Sequence, residues 1–510
     1  MEIPLDRAKP IPLARQIQAH LERLIADGLL PPGAKLPASR ELACTLGVNR
    51  ATVILAYEEL VAAGVARSHV GQGTFVAARP AERPAMPAAE RTPPPPIDWA
   101  GLFSRSARII ESEQERRRAT LAPSPPGSAA ISFAGGVPDS ALFPTEAFRQ
   151  ALNAAVREEG AALLQYSPVA GYPPLRRYLS TYLLRFGLEA RPDEILVVNG
   201  SQQGFDLIAR TFLDPGDVVG IEQPTYPRAM QAFRAFGAQL QAVPWTSDGP
   251  RVDLLERLLE RQAPKFFYCQ PTCHNPTGLA MNGETAGRLL GVAARHQLPI
   301  VEDGFDPSLH YGKRPPTPLK AQDRAGLVIY IGTFSKILFP GLRLGWLLGP
   351  PTVIERLAAA KQLADLHTSV LLQAALHRFC ERRLLARHAA RVAREYGRRQ
   401  ALIVAALARR MPEGVTWTEP QGGFSLLVTL PPGLDATALL PHAAERGVTF
   451  TPGTVFFVDG GGERTLRLSF SAVPAERIDE GVRRLAEVIK GSLKRPRPRP
   501  PLERVAVPLV

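Results

Sequence analysis

Residues 327–346 read LVIYIGTFSKILFPGLRLGW. The run from Leu327 to Gly332 is apolar, with β-branched and aromatic side chains in sequence, which predicts a short strand buried on both faces. Such a strand delivers Thr333, Ser335 and Lys336 at its carboxyl end. A lysine brought to a partly desolvated site loses its proton and attacks a carbonyl carbon, whereas a surface lysine stays a solvated cation. Arg343, seven residues on, joins the two hydroxyls as a donor set suited to a phosphate.

Four other runs share this texture: EILVVNG (194–200), VVGIEQP (218–224), KFFYCQP (265–271) and LPIVEDG (298–304). Each ends in a polar or glycine turn, and helical stretches separate them, so the expected fold is α/β with a mainly parallel sheet and crossover helices. Ligands in such sheets sit beyond the carboxyl ends of the strands. The polar residues collected there are Ser201, Gln202, Tyr226, Asn275, Asp303, Thr333, Ser335 and Lys336. Ser201 and Gln202 open a helix, whose N-terminus favours an anion. Asp303, at the end of a buried strand, needs a cationic partner, and a pyridinium nitrogen would be one. Together the set describes an aldehyde-bearing, phosphorylated pyridine.

Outward of this region the chain changes character. Its 510 residues, 45% hydrophobic and 21% charged, have ordinary globular composition and predict about three domains. Residues 80–130 are broken by Pro80, Pro84, Pro87, Pro93 to Pro96, Pro123, Pro125 and Pro126, and read as a linker holding one helix between Phe103 and Leu121. Residues 491–510 form a basic, proline-rich tail. The expected domains are therefore 1–79, the linker, and 131–490, followed by the tail. No apolar stretch is long enough for a membrane span, and MEIPLDRAKP lacks the apolar run of a signal peptide, so a cytoplasmic protein is expected. Cys44, Cys269, Cys273 and Cys380 are too scattered for a disulfide framework, and CQPTCH (269–274) lacks a second ligand pair, so no metal is expected. The 61 lysines and arginines against 48 acids give a net charge of +13. They are spread as 9 against 7 in residues 1–79 and 40 against 34 in 131–490.

In residues 1–79, Leu13, Ile17, Leu21 and Leu24 recur at helical spacing up to Gly28. Ser39 is placed to cap a second helix ending at Gly47. Asn49 caps a third, with Val53, Ala56, Tyr57, Leu60 and Val61 as its apolar face. This is a helix-turn-helix, and VARSHVGQGTFVA (65–77) follows as two strands around a glycine-rich tip, a wing. Arg40, Arg50 and Thr52 lie off the apolar face near helix N-termini, the ends that enter a major groove.

LPASRELACTLGVNRATVILAYEELVAAGVARSHVGQGTFV (36–76) closely resembles the winged helix-turn-helix of the GntR family. That resemblance implies double-stranded operator DNA as partner, with Arg40, Asn49, Arg50 and Thr52 on phosphates or bases and Gly71 and Gln72 in the minor groove. From Ile131 the chain resembles the fold type I aminotransferases, through GTFSKILFPGLRLGW, PTCHNPTG, VEDG, GSQQGFDLIARTFLDPGDVV, QPTYP, LLQYSPVAGYPPLRRYL, LRLSF and AGGVPD. The resemblance implies pyridoxal 5'-phosphate as cofactor and Lys336 as its imine-forming lysine. Thr333, Ser335, Arg343, Ser201 and Gln202 would meet the phosphate, Asn275 the ring 3-oxygen, Asp303 the pyridine nitrogen and Tyr226 the ring face. Tyr166 would reach the phosphate held by the other subunit of a homodimer, while Arg467, with Gly136 nearby, would grip an amino acid's carboxylate. The two domains together resemble the MocR regulators. This implies a DNA-binding regulator that senses the cofactor or an amino-acid effector through its lysine chemistry; the alternative is a working aminotransferase with an accessory DNA-binding domain. EDGFDPSLHYG departs from the family pattern, with Phe305 where a tyrosine would donate to the ring 3-oxygen, and Tyr311 stands as a conceivable substitute.

Overall fold

The computed structural model describes residues 1, 3–7, 10–69, 71–78, 97–120, 130–305, 307–312 and 314–494. They fall into two compact units, 1–99 and 100–510.

In the smaller unit, α1 (Leu13–Ala26) buries Ala14, Ile17 and Leu21 against α3 (Arg50–Ala62), with α2 (Ser39–Leu46) packed beside α3. The turn between α2 and α3 depends on Gly47, which takes φ +62 as the left-handed cap of α2. Asn49 caps α3, its side chain accepting from the Ala51 amide at 2.9 Å. Two expectations shift by a residue or a face. Ala38, not Ser39, is the cap of α2, and Val61 stays 37% exposed while Val53, Ala56, Tyr57 and Leu60 form the buried face. The wing is the antiparallel pair β1 (Ala66–His69) and β2 (Gly73–Val76).

The larger unit begins inside the stretch expected to be linker. Helix α4 (Arg105–Thr120) packs on the helix Pro227–Ala235, with Glu113 and Arg234 3.7 Å apart, so residues from Ala100 onward belong to this unit. Its centre is an eight-stranded sheet in the spatial order Ile195–Val198, Gly345–Leu348, Val328–Thr333, Ile300–Gly304, Phe267–Cys269, Val218–Gln223, Gln239–Thr246, Gly249–Pro250. The five runs read from sequence are all strands here. They run parallel to one another; Gly345–Leu348 is antiparallel to both its neighbours. Every residue of Ile195–Val198, Val328–Thr333 and Gly345–Leu348 is buried, as helix-covered sheet requires. A second layer, formed largely by the C-terminal part, holds a four-stranded antiparallel sheet centred on Ser425–Thr429 and Thr465–Ser469. The segment Ile131–Ser132 pairs in parallel with Val448–Thr449, so the start of the family region is built into this second core. Among the described residues no helix is long and apolar enough to cross a membrane.

Candidate active site and DNA-facing surface

The carboxyl ends of the central strands and one face of the second sheet meet at a small cavity of about 50 Å³. Eight expected residues line it: Gly136, Ser201, Tyr226, Asn275, Asp303, Thr333, Lys336 and Arg467. Lys336 stands at the end of Val328–Thr333, where Nζ donates to the Gly136 carbonyl at 2.7 Å. Burial, reinforced by the nearby Arg467, brings its pKa down to about 8. About a tenth of the amine is thus unprotonated at pH 7, far more than for an ordinary lysine, which is what a nucleophilic lysine needs.

Asp303 ends the neighbouring strand. Burial raises its carboxyl to about 6, while the Tyr268 hydroxyl donates to Oδ2 at 2.8 Å and opposes the rise. Tyr268 is wholly buried within its own strand and looks from sequence like any core aromatic. A carboxylate held there without a cation is costly, so its open side suits a protonated ring nitrogen.

Arg467 comes from the second sheet. Its NH2 donates to the carbonyls of Ala134 (2.8 Å) and Gly135 (2.9 Å) and to Thr451 Oγ1 (3.1 Å), and NH1 to Asn275 Oδ1 (3.2 Å). Its Nε is buried without a partner, and burial lowers the guanidinium to about 10. A guanidinium with no carboxylate beside it among the described residues, and with Nε left unpartnered, is arranged to take a carboxylate from a ligand. A Cβ at Gly136 would stand 3.4 Å from Arg467 NH1, so the glycine keeps that approach open.

The remaining expected residues are placed less directly. Arg343, with φ +52, lies against the turn before the helix Ser201–Phe212, its NH2 donating to the Asn199 carbonyl at 3.0 Å. Gly200 makes room for it: a Cβ there would sit 2.7 Å from that same nitrogen. The helix N-terminus and the guanidinium thus form one electropositive corner. Ser335 turns its amide to Thr333 Oγ1 at 3.1 Å, and Gln202 Oε1 is buried without a partner; neither lines the cavity. Tyr166 is 82% exposed, edge-on to His367, and does not reach the cavity of its own chain.

Several lining residues were not legible in advance: Gln270, Cys273, Phe424 and Ser425. Phe305 also lines the cavity, edge-on to Phe424 with ring centres 5.3 Å apart. Tyr311 cannot replace the hydroxyl Phe305 lacks, because its own is given to the Gly423 carbonyl and its ring packs in the second core. Cys269 is a buried strand residue, and His274 has both ring nitrogens engaged, by Thr277 Oγ1 at 2.7 Å and the Pro224 carbonyl at 3.0 Å.

The donor set of this cavity fits pyridoxal phosphate. It offers a depressed lysine, a carboxylate lacking a cation, an asparagine, hydroxyls, and a helix N-terminus flanked by Arg343. A wider cavity of about 420 Å³ adjoins it and shares Tyr226 and Arg467, leaving space for a ligand beyond the ring.

In the smaller unit Arg40 and Arg50 are exposed, Thr52 is half-buried, and Gly71 and Gln72 lie at the exposed wing tip. Arg50 Nε reaches Ser39 Oγ at 3.4 Å, joining the start of α3 to that of α2. Arg50, Ile54 and Glu58 line an open groove of about 590 Å³ together with Ser68 and Thr74 of the wing.

Comparison with known proteins agrees with both halves. Residues 130–485 match the model of the family described as aminotransferase class I and II, and residues 13–76 that of the bacterial regulatory proteins of the gntR family. The chain is 40% identical over 401 residues to a 2-aminoadipate transaminase of Thermus thermophilus, covering 78% of this chain and 99% of that protein. It is 32% identical over 482 residues to the probable rhizopine catabolism regulatory protein MocR of Rhizobium meliloti, covering 94% of each. The crystal structure of LysN, the α-aminoadipate aminotransferase of Thermus thermophilus, complexed with N-(5'-phosphopyridoxyl)-L-leucine, superposes with a TM-score of 0.72 at 38% identity. It covers 78% of this chain and 99% of that one.

Proposed function

The chain belongs to the aminotransferase class I and II family, with a gntR-type DNA-binding domain ahead of it as in the MocR regulators, and on that footing we propose that it is a transcriptional regulator whose larger unit senses a small molecule at Lys336. The observation that carries this is one cavity holding Lys336, Asp303 and Arg467 in a chain that also carries an exposed Arg50 at the start of a recognition helix. Pyridoxal phosphate supplies an aldehyde and an electron-withdrawing ring. Lys336 would hold the aldehyde, Asp303 would keep the ring nitrogen protonated, Asn275 would meet the ring oxygen, and Ser201, Thr333 and Arg343 would take the phosphate. Arg467 then selects an effector bearing a carboxylate, either an amino acid or a close relative.

Arg40, Asn49, Arg50 and Thr52 read operator DNA, with Gly71 and Gln72 in the wing. The protein acts as a homodimer in which Tyr166, exposed on its own chain, serves the partner's phosphate site. Arg50→Ala tests the DNA half: binding to the gene's own upstream region in a gel shift is lost, while the visible absorbance of the cofactor is kept. Undiminished specific binding refutes it.

A working aminotransferase is the second reading, favoured by the retention of Lys336, Asp303 and Arg467 in one site. Full conversion of the bound cofactor to its amino form by an amino acid, followed by repeated turnover with a keto acid, would establish it. A spectral change without turnover supports the sensor.

A further inference from the structure

Within residues 131–490 the net charge is concentrated on one element. Residues 131–490 carry 40 lysines and arginines against 34 acids, an excess of six. Helix α5 (Leu384–Arg410) alone holds seven arginines and one acid, Glu395, which is the same excess. The rest of the region is balanced.

Arg387, Arg391, Arg394 and Arg398 are all exposed. At about 100° per residue they fall within an arc of about 60°, and at 1.5 Å per residue they span about 16 Å, so they form one straight stripe. Arg398 is paired with Glu395 at 2.9 Å. Among the described residues Arg387, Arg391 and Arg394 have no acidic partner, and neither do the exposed Arg382 and Arg383 just before the helix. Arg387 and Arg391 each give one nitrogen to a backbone carbonyl, of Arg382 and Leu142 respectively, which steadies them without neutralising them. By contrast Arg409 and Arg410, at the far end of the helix, are both tied to Asp479 at 2.9 and 2.8 Å.

We infer that this stripe is a second DNA-binding surface, which takes phosphates of duplex flanking the operator. The inference rests on the DNA-binding reading above. Duplex DNA presents one negative charge per about 1.7 Å of axis, so a row of three unpaired guanidiniums about 10 Å long, continued by the paired Arg398, meets several phosphates at once. Guanidinium is also the side chain whose fork fits phosphate oxygens. The occupant is DNA because the smaller unit, which reads it, is nearly neutral, with 9 basic residues against 7 acidic in 1–79. The smaller unit thus brings little net charge of its own to a polyanion, and the unpaired arginines of α5 would add to it.

The test uses the full chain and two duplexes with the same upstream site, one trimmed to the site and one extended by about three helical turns on each side. Wild-type protein should bind the extended duplex more tightly and with a steeper fall in log affinity against log salt. The triple change Arg387→Gln, Arg391→Gln, Arg394→Gln should remove that advantage and reduce the slope on the extended duplex by about 0.9 per lost phosphate, up to about 3. Binding to the trimmed duplex should not change, which also reports that the variant is folded. Arg409→Gln with Arg410→Gln should behave as wild type. Equal binding of both duplexes by wild-type protein, or an unaltered slope in the triple variant, overturns the inference. A triple variant that changes the protein's sedimentation but neither DNA slope assigns the stripe to a contact between copies, which also overturns it. If wild-type protein binds neither duplex specifically, the underlying DNA reading fails as well, a result separable from the others.

Discussion

Replacing Tyr268 by phenylalanine removes the one side-chain donor to Asp303 among the described residues and leaves the ring's packing in place. The hydroxyl lies 2.8 Å from Oδ2, with tyrosine buried and aspartate half-buried, so it stabilises the ionised carboxylate from the side turned away from the cavity. A hydrogen bond to a charged group is worth about 1.5–3 kcal/mol, which corresponds to about one to two units of pKa. Asp303 stands at about 6, already raised by burial. Tyr268→Phe should therefore move its midpoint to about 7 or 8.

The sign for binding follows from which form grips the ring nitrogen. The carboxylate holds a protonated pyridine, so affinity falls about tenfold per pH unit below the Asp303 midpoint and is unaffected well above it. Pyridoxamine phosphate is the right probe, since it has no aldehyde and leaves the titration of Lys336 out of the measurement. At pH 6 the wild-type carboxylate is about half ionised, and after a shift of one unit about a tenth remains so, a loss of about fivefold in affinity. At pH 9 wild type and variant should bind alike. Fluorescence titration across pH 5–9 gives both curves. Superimposable curves would refute the role given to Tyr268, and a uniform loss at every pH would mean that the substitution had disturbed packing instead.

Burial sets Lys336 at about 8, so uptake of pyridoxal phosphate by apoprotein should accelerate with pH up to about 8 and then level; acceleration continuing to the ordinary lysine range would contradict the desolvation described. Lys336→Ala should abolish the adduct fixed by borohydride, as read by peptide mass. Phe305→Tyr should lower the pH midpoint of the visible absorbance band by a little under one unit, one neutral hydrogen bond of about 1 kcal/mol. A midpoint that stays put would mean another donor already serves the ring oxygen, and Tyr311, whose hydroxyl is given to Gly423, is not placed to be it. Asp139→Ala should cost about 2–3 kcal/mol, seen as a drop of several degrees in the melting of the larger unit, because Arg399 is buried and loses a 2.7 Å partner while keeping Glu395. No change in melting would show that water replaces the carboxylate.

What could be read from the sequence was what local chemistry announces. Strands buried on both faces appear as continuous apolar runs, so Ile195–Val198 and Val328–Thr333 were visible, and the polar residues just after them marked the site. Gln239–Thr246 was not visible, because its exposed and half-buried residues break the run and Pro244 argues against a strand. Gly345–Leu348 escaped for a different reason: it continues the lysine-bearing segment, and nothing local says that the chain turns back antiparallel beside Val328–Thr333. Phe424 and Ser425 reach the cavity from a second sheet that meets the first only in three dimensions, and Tyr268 is indistinguishable from a core aromatic until its hydroxyl is seen on Asp303. Ser39 sits one residue inside its helix, the usual margin for a terminus judged without cap geometry.

The backbone from Ala134 to Gly136 has an unusual pair of custodians. On one side Phe133 is fixed by the Thr449 carbonyl; on the other, Val137 is held by Ser471 and Asp139 by Arg399 and Tyr396. Between those anchors, the three carbonyls of Ala134, Gly135 and Gly136 take donors from Arg467 and Lys336, the two residues that would hold a ligand. A carboxylate arriving at Arg467 has the unpartnered Nε open to it, whereas an aldehyde at Lys336 must win the amine away from the Gly136 carbonyl. The same three carbonyls thus hold both ligand-gripping side chains in place from a segment anchored at each end, so the reach of Lys336 and that of Arg467 are set by one short piece of main chain.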